Sequence, residues 1–406
     1  MSGTAQDSAP RLGGMGREEV LLHAGAFLSS VGVLLVAPYL AVYLTRDLGW
    51  SNTAAGFAIG LSFCFTRAAG LASGWLCRRV PALTVMHSGN VLRIIGYLLL
   101  LRDDAPSTVV ALVLTGAGAG LYFPAAKELL LRVVPEERQL RSLAVRNGAA
   151  NLGAALGPLA GLLALHYDPR LMFFAAAGVF LALTLSQLTM GGARAIAPPA
   201  PDGARPTLRL LRPLLVIAVV DGTAAILLES SLPQVVAGGG SNSALTFVFL
   251  ANSIAVILLQ PFALWVVGRG GQMALPVAGA AMALGVLPFS LATSHVALWV
   301  GGAVAIAVAE VLVVLWLDDQ VRHLPSPATA YGYLSLGDGL GGLCGATVSS
   351  WLVARTTGTG AVFANSLWVL AAGFLAAGAL ATVLPRHRAG PGAEARHEQA
   401  TERNKE

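Results

Sequence analysis

The sequence predicts an all-α integral membrane protein of twelve transmembrane helices in two pseudo-symmetric six-helix bundles. Three observations predict it. The first is composition: 55% of the 406 residues are hydrophobic and only 12% charged, with a mean hydropathy of +0.70. Soluble domains carry about a quarter charged residues. The second is run length. Residues 20–44, 109–131 and 361–384 are long apolar stretches with few or no charges. About 20 residues at 1.5 Å rise cross a hydrocarbon core of about 30 Å, whereas buried helices of soluble proteins show apolar runs of about 10–14. The third is the placing of one long polar connection. Reading the runs in order gives spans near 20–44, 53–77, 82–101, 107–131, 143–166, 170–190, 213–236, 243–267, 273–293, 296–318, 328–354 and 361–384. Most connections are very short. The exception, 191–212, is rich in Pro, Ala, Gly and Arg and divides the spans six and six.

The expected organisation follows. Residues 1–190 form an N-terminal six-helix bundle, 191–212 a linker, 213–385 a C-terminal bundle, and 386–406 a polar, disordered tail. Fifteen arginines, among them Arg17, Arg78, Arg79, Arg132, Arg212, Arg269 and Arg322, fall on the side of the termini and linker; only Arg46, Arg102, Arg170 and Arg355 fall on the other. Positive loops stay inside, which places both termini and the linker in the cytoplasm and the protein in the cytoplasmic (inner) membrane. The first apolar run is too long for a signal-peptide core and reads as a retained helix. The net charge of +5 does not indicate nucleic acid, because the positives are spread through loops between apolar runs. Lys is nearly absent, at Lys127 and Lys405 alone, and the Arg-, Ala- and Gly-rich usage reads as bacterial. Cys64, Cys77 and Cys344 show neither metal-ligand spacing nor a disulfide framework, so no metal or cofactor is expected.

The halves repeat internally. Aligned without a gap, Gly148, Leu152, Gly153, Leu156, Gly157, Leu159 and Gly161 of span 5 match Gly332, Leu336, Gly337, Leu340, Gly341, Leu343 and Gly345 of span 11. Parallel six-helix repeats are a known membrane-protein architecture. Gly153, Gly157 and Gly161, like Gly337, Gly341 and Gly345, recur every four residues and form smooth faces that admit a close neighbour. Pro158 removes a backbone hydrogen bond within span 5.

These residues carry a resemblance to the major facilitator superfamily over nearly the whole chain. Ala37-Pro-Tyr-Leu with Leu48-Gly-Trp-Ser and Gly56 resembles the family's opening, Gly116 to Ala125 its fourth helix, and Gly148 to Gly161 the helix 5 signature seen in antiporters. The resemblance implies that spans 5 and 11 lie at the interface between halves and that a central cavity lies between them. Two departures stand out. The loop after span 2 keeps Gly74 and Arg79, but Arg78 stands where the family has an acid and Pro81 where it has a second glycine, which puts the usual cytoplasmic latch in question. The arginine often found in helix 4 is absent, with Leu112 near its place.

Ionisable groups inside a membrane are costly and are functional candidates by default. The spans hold Arg67, Arg93, Lys127, Glu128 and Arg146 in the first half, and Asp221, Glu229, Glu310 and Asp338 in the second. The first half is mainly basic; the second has only acids at depth. Lys127, Glu128 and Arg146 are expected to snorkel or pair at the inner surface, and Asp318 and Asp319 to be solvated. Arg67 and Asp338 each lie about 10 residues, or about 15 Å, from the inner ends of spans 2 and 11; the resemblance implies that these spans are neighbours at the interface, so an ion pair between halves is expected, with Arg93, a buried charge at similar depth on span 3, the rival partner. Burial disfavours the charged form of a carboxyl group, which makes Glu310 first, then Asp221 and Glu229, the candidates for proton coupling or substrate binding.

The expectation is a secondary transporter, a monomer in the bilayer that exports a small amphipathic or hydrophobic compound in exchange for protons. Import of a sugar, amino acid or other metabolite is the alternative within transport. A membrane enzyme is disfavoured, since the seven His are scattered and no Gly-rich phosphate loop with Lys occurs. A transporter-like sensor is the remaining class.

Overall fold

The computed structural model describes residues 15–190, 211–224, 242–269, 271–290, 296–324, 326–355 and Gly373. The helices are α1 (Arg17–Leu34), α2 (Ala37–Val42), α3 (Asn52–Leu76), α4 (Ala82–Leu99), α5 (Ala105–Val133), α6 (Glu136–Tyr167) and α7 (Pro169–Leu188) in the first half. The second half has α8 over 211–224, α9 (Asn242–Leu258), α10 (Gln260–Gly268), α11 (Ala274–Ser290), α12 (Val296–Arg322) and α13 (Pro327–Arg355). Eleven of the twelve expected spans thus contain a described helix. Span 12, the tail, most of the linker, Glu229 and the side-chain surroundings of Gly345 lie outside the described residues. Among the described residues, five helices are long and apolar enough to cross a membrane, and Leu250–Leu258 with α10, bent by 46°, counts as a sixth if the pair is one span. Pro261 opens α10 at that bend, where it removes a donor the helix needs to continue.

Local chemistry sets the ends. Ser51 Oγ accepts from Ala54 N to start α3, and Asp168 Oδ1 accepts from Arg170 N to start α7, with Pro169 in its first turn. Asp104 Oδ1 accepts from Ser107 N at 2.8 Å to start α5, and that bond holds the Asp104 carboxyl below the usual carboxylate range. Asp103 before it takes the left-handed conformation that the tight α4–α5 turn requires.

The glycine faces determine the packing within each half. A Cβ on Gly153, Gly157 or Gly161 would sit 2.3, 3.0 or 2.1 Å from the carbonyl oxygen of Phe27, Val31 or Leu35. The backbones of α6 and α1 are therefore in contact along a four-residue step. A Cβ on Gly337 or Gly341 would sit 3.2 or 2.0 Å from the oxygen of Leu215 or Val219, so α13 lies on α8 in the same register. Phe27 and Leu215, and Val31 and Val219, are equivalent positions of the two halves. The resemblance led us to expect these faces at the interface between halves. Spans 5 and 11 do border the opposite half, α6 against α9 and α13 against α3, but through other faces: Gly148 lies on Gln260 Cγ and Gly332 on the Gly70 backbone. The glycine ladders face inward, where the first and fifth spans of each half approach backbone to backbone. Pro158 lies at the same contact, its carbonyl accepting from Tyr39 Oη at 2.7 Å.

This packing makes a definite prediction. Gly341→Leu places a side chain into the Val219 carbonyl and should destabilise the protein by about 1–3 kcal/mol, read as a lower unfolding temperature in detergent. Gly60→Leu, where nothing lies within 4 Å of the added Cβ, should leave that temperature unchanged. Equal stability of the two variants would contradict the packing.

Candidate functional site: a cavity between the halves, closed at the Arg-rich face

A cavity of about 530 Å³ lies between the halves, within the usual range for small-molecule sites of about 300–1,000 Å³. Spans 1 to 4 supply one wall, through residues such as Leu40, Phe63, Tyr97 and Phe123; spans 7, 10 and 11 supply the other. Most of the lining is apolar. Charge enters at three places: Arg67 with Asp338, Lys127 with Asp318, and Asp221.

Arg67 and Asp338 form an ion pair through Nη1 and Oδ2, each side chain about 30% exposed to the cavity. Arg67 Nη1 also donates to Ser335 Oγ at 3.4 Å. The arginine stem crosses α13 at Gly339, where a Cβ would meet its Cγ at 2.6 Å. Gly339 therefore makes room for the pair, a role for which the sequence alone offered no signal. Asp338 also contacts α8 closely, since a Cβ on Gly222 would meet its backbone oxygen at 2.1 Å.

The cavity floor lies toward the Arg-rich face. Lys127 Nζ meets Asp318 Oδ1 at 2.5 Å and lies 4.5 Å from the centre of the Tyr331 ring; Asn147 Nδ2 donates to Asp318 Oδ2 at 3.1 Å. Asp318 was expected to be solvated, but it is only 1% exposed. The reason is that α12 runs on to Arg322, so Asp318 is inside the packed bundle rather than at its end. Lys127 pairs across the halves rather than snorkelling. The signal was present in the sequence: Lys127 and Asp318 stand at the inner ends of spans 4 and 10, with opposite charge.

Below the floor a second layer joins the halves. Glu128, 4% exposed, accepts the Ala328 backbone N–H on Oε2 at 2.6 Å, and Arg132 Nη2 holds its Oε1 at 2.5 Å. The carboxylate thus sits at the positive N-terminal end of α13 and satisfies one of its free N–H groups. Gly74 lets α13 approach so closely that a Cβ would meet Thr329 Cα at 2.5 Å. Thr329 Oγ1 donates to the Gly74 carbonyl at 3.2 Å and accepts from Arg78 Nη1 at 3.4 Å. The altered loop after span 2 therefore still contacts the opposite half, through Gly74 and Arg78. Arg79 turns away and stacks on Trp75.

The other candidates separate. Asp221 lines the cavity, with Asp338 and Glu310 both within electrostatic reach. Glu310, the first choice from sequence, does not line the cavity; it accepts from Asn252 Nδ2 at 3.3 Å within its own half. Its helix reaches the cavity through Val314, Leu317 and Asp318 instead, one to two turns further on. Arg93 is 1% exposed and stays inside the first half. Its Nη1 donates to Ser29 Oγ at 2.8 Å, and its guanidinium lies 4.7–5.1 Å from the ring centres of Phe180, Tyr122 and Phe123. The aromatic faces offset part of the cost of burying that cation.

Removing one partner of a buried ion pair strands the other. Lys127→Met should destabilise the protein by about 3–5 kcal/mol, seen as a lower unfolding temperature, and Lys127→Met with Asp318→Leu should recover most of the loss. Wild-type stability of Lys127→Met alone would show that the pair does not join the halves.

Comparison with known proteins agrees with this architecture. Residues 22–314 match the family model described as Major Facilitator Superfamily. An uncharacterised MFS-type transporter of Mycobacterium tuberculosis is 32% identical over 176 residues, 43% of this chain and 42% of that protein; the chain thus spans about two fifths of the length of the first curated relatives it matches. Multidrug resistance protein MdtH of Yersinia pestis is 26% identical over 343 residues, 79% of this chain and 83% of that protein. Among solved structures, the transporter FucP in its outward conformation superposes with a TM-score of 0.73 at 15% identity, covering 90% of this chain and 98% of that one. A bacterial homologue of the iron transporter ferroportin, in an outward-facing state, gives 0.72 at 13%, covering 89% and 98%. At such identities the structures show the fold, which is the twelve-helix one. The chain is a multi-pass membrane protein that belongs to the Major Facilitator Superfamily, a family of transporters and not of enzymes.

Proposed function

We propose that the protein is a proton-coupled exporter of small amphipathic or hydrophobic compounds from the cytoplasm. The observation that carries the reading is the cavity itself: mostly apolar walls, one acid, Asp221, with no hydrogen bond or ion pair among the described residues, and a floor shut by contacts between halves. Apolar walls suit an apolar or amphipathic compound. An acid facing such a cavity is suited to exchange a proton for it. The likeness to a multidrug resistance protein supports export, as does the helix 5 resemblance.

In this reading the halves, residues 1–190 and 213–385, rock about the cavity, with the Arg-rich face toward the cytoplasm. The structure is then the state closed to the cytoplasm. Opening that side separates Lys127 from Asp318 and Glu128 from the start of α13. Arg67 and Asp338, higher in the cavity and partly exposed, exchange their contact for water or substrate at lower cost. The proton-coupling role passes from Glu310 to Asp221 because Asp221 lines the cavity and Glu310 does not. Glu229 is a further candidate on the same span.

The test uses proteoliposomes, an imposed pH gradient and a fluorescent amphipathic dye. Asp221→Asn should abolish gradient-driven dye accumulation while leaving dye exchange across the membrane measurable, since a neutral side chain mimics the protonated acid. Full gradient-driven transport by Asp221→Asn would remove Asp221 from the coupling step. Absence of both transport and exchange in the unaltered protein would overturn the exporter reading.

A further inference from the structure

The register of the two halves points to a pair of lipid sites. Gly148 of span 5 lies on Gln260, and its repeat counterpart Gly332 of span 11 lies on Gly70. Gly70 of span 2 and Gln260 of span 8 are therefore equivalent positions. Five residues after each stands a tryptophan, Trp75 and Trp265, and four residues later an arginine, Arg79 and Arg269. In both halves the arginine stacks on the tryptophan, with the guanidinium carbon 3.7 Å from the Trp75 ring centre and 4.3 Å from that of Trp265. The same couple at symmetric positions is a feature the chain has twice.

The surroundings fit a headgroup. Trp75 is 45% exposed and Trp265 56%, both at the end of a span on the Arg-rich face, where indole rings meet the membrane–water boundary. Stacking fixes the guanidinium plane and leaves its N–H donors directed outward along the edge, in the fork that matches two phosphate oxygens. Among the described residues, no carboxylate and no hydrogen-bond acceptor engages the guanidinium of Arg79 or Arg269. That contrasts with Arg78, which reaches Thr329, and Arg322, which pairs with Asp319. With no described acid paired to either arginine, a zwitterionic headgroup would bring its own cation into a positive site with nothing to balance it. An anionic headgroup meets no such cost.

We propose that Trp75–Arg79 and Trp265–Arg269 are two equivalent sites for the phosphate of an anionic phospholipid in the leaflet at the Arg-rich face. Each would hold one half of the molecule by its edge, independently of what the cavity carries.

Native mass spectrometry of the full chain in detergent, titrated with dioleoyl phosphatidylglycerol or dioleoyl phosphatidylcholine, tests it. The unaltered protein should retain two phosphatidylglycerols saturably and little phosphatidylcholine. Arg79→Gln and Arg269→Gln should each weaken one site by about fivefold, the effect of one basic group at an anionic surface, and together should weaken both. Trp75→Leu with Trp265→Leu should also weaken both, because the guanidinium loses its support. Equal binding of the two lipids, or unchanged binding by the double arginine variant, would overturn the proposal. Complete displacement of phosphatidylglycerol by millimolar inorganic phosphate would overturn it as well, by showing a site for free anions rather than lipid.

Discussion

A carboxylate buried where two helical bundles meet must have a partner there, and that constraint organises the seam of this protein. Asp318 and Glu128, 1% and 4% exposed, are each held by a group on the opposite half, Lys127 for one and the Ala328 N–H at the start of α13 for the other. Stranding a buried charge costs several kcal/mol, so the two halves stay together on this side unless the charges are rehydrated or neutralised. Such a seam is firm when dry and weak when wet. The proposed rocking cycle, which would open and close this face, needs that property.

The glycine ladders complement the polar seam. Between spans 1 and 5, and between spans 7 and 11, backbone lies on backbone with no room for a Cβ. Such contacts are dispersion-rich and have no charged groups to rehydrate. Each half can therefore move as a unit while the seam between halves is remade. The register of these ladders also fixes which residues of the halves are equivalent. It shows where the symmetry is kept, in the Trp–Arg couples, and where it is broken, at Asp338 in place of Ala154 and at Gly339 in place of Ala155. The breaks coincide with the Arg67 ion pair.

Much of the fold was legible because the bilayer imposes length and composition on every span, and eleven of the expected spans contain a described helix. The contact of Arg67 with Asp338 could be reasoned from depth together with the adjacency of spans 2 and 11 that the resemblance implies, since 1.5 Å per residue ranks intramembrane charges by height. Depth does not give azimuth. Glu310 is at a suitable height but turned into its own half toward Asn252, and the glycine faces point to spans 1 and 7 rather than across the seam. Helical periodicity shows that residues share a face, not which neighbour the face meets. Asp318 was misjudged for a related reason, because a charge at the end of an apolar run looks solvated unless the helix is known to continue. The family pattern of the loop after span 2 suggested a lost latch; the contact of Glu128 with the start of α13 could not be read from that loop, because it comes from span 4.

The central claim is that the Arg-rich face is held shut by contacts between halves and opens during the cycle. Glu137, exposed at the start of α6, and His323, just after α12, flank this seam on opposite halves, where Arg322 donates to the Glu136 carbonyl at 3.2 Å. Electron–electron resonance distances between spin labels at these two positions, in lipid across a range of pH, measure the seam directly. The account predicts a short distance in one condition and a second, longer population in another, with Lys127→Ala shifting the balance toward the longer one. A single short distance, unchanged by pH and by Lys127→Ala, would contradict it.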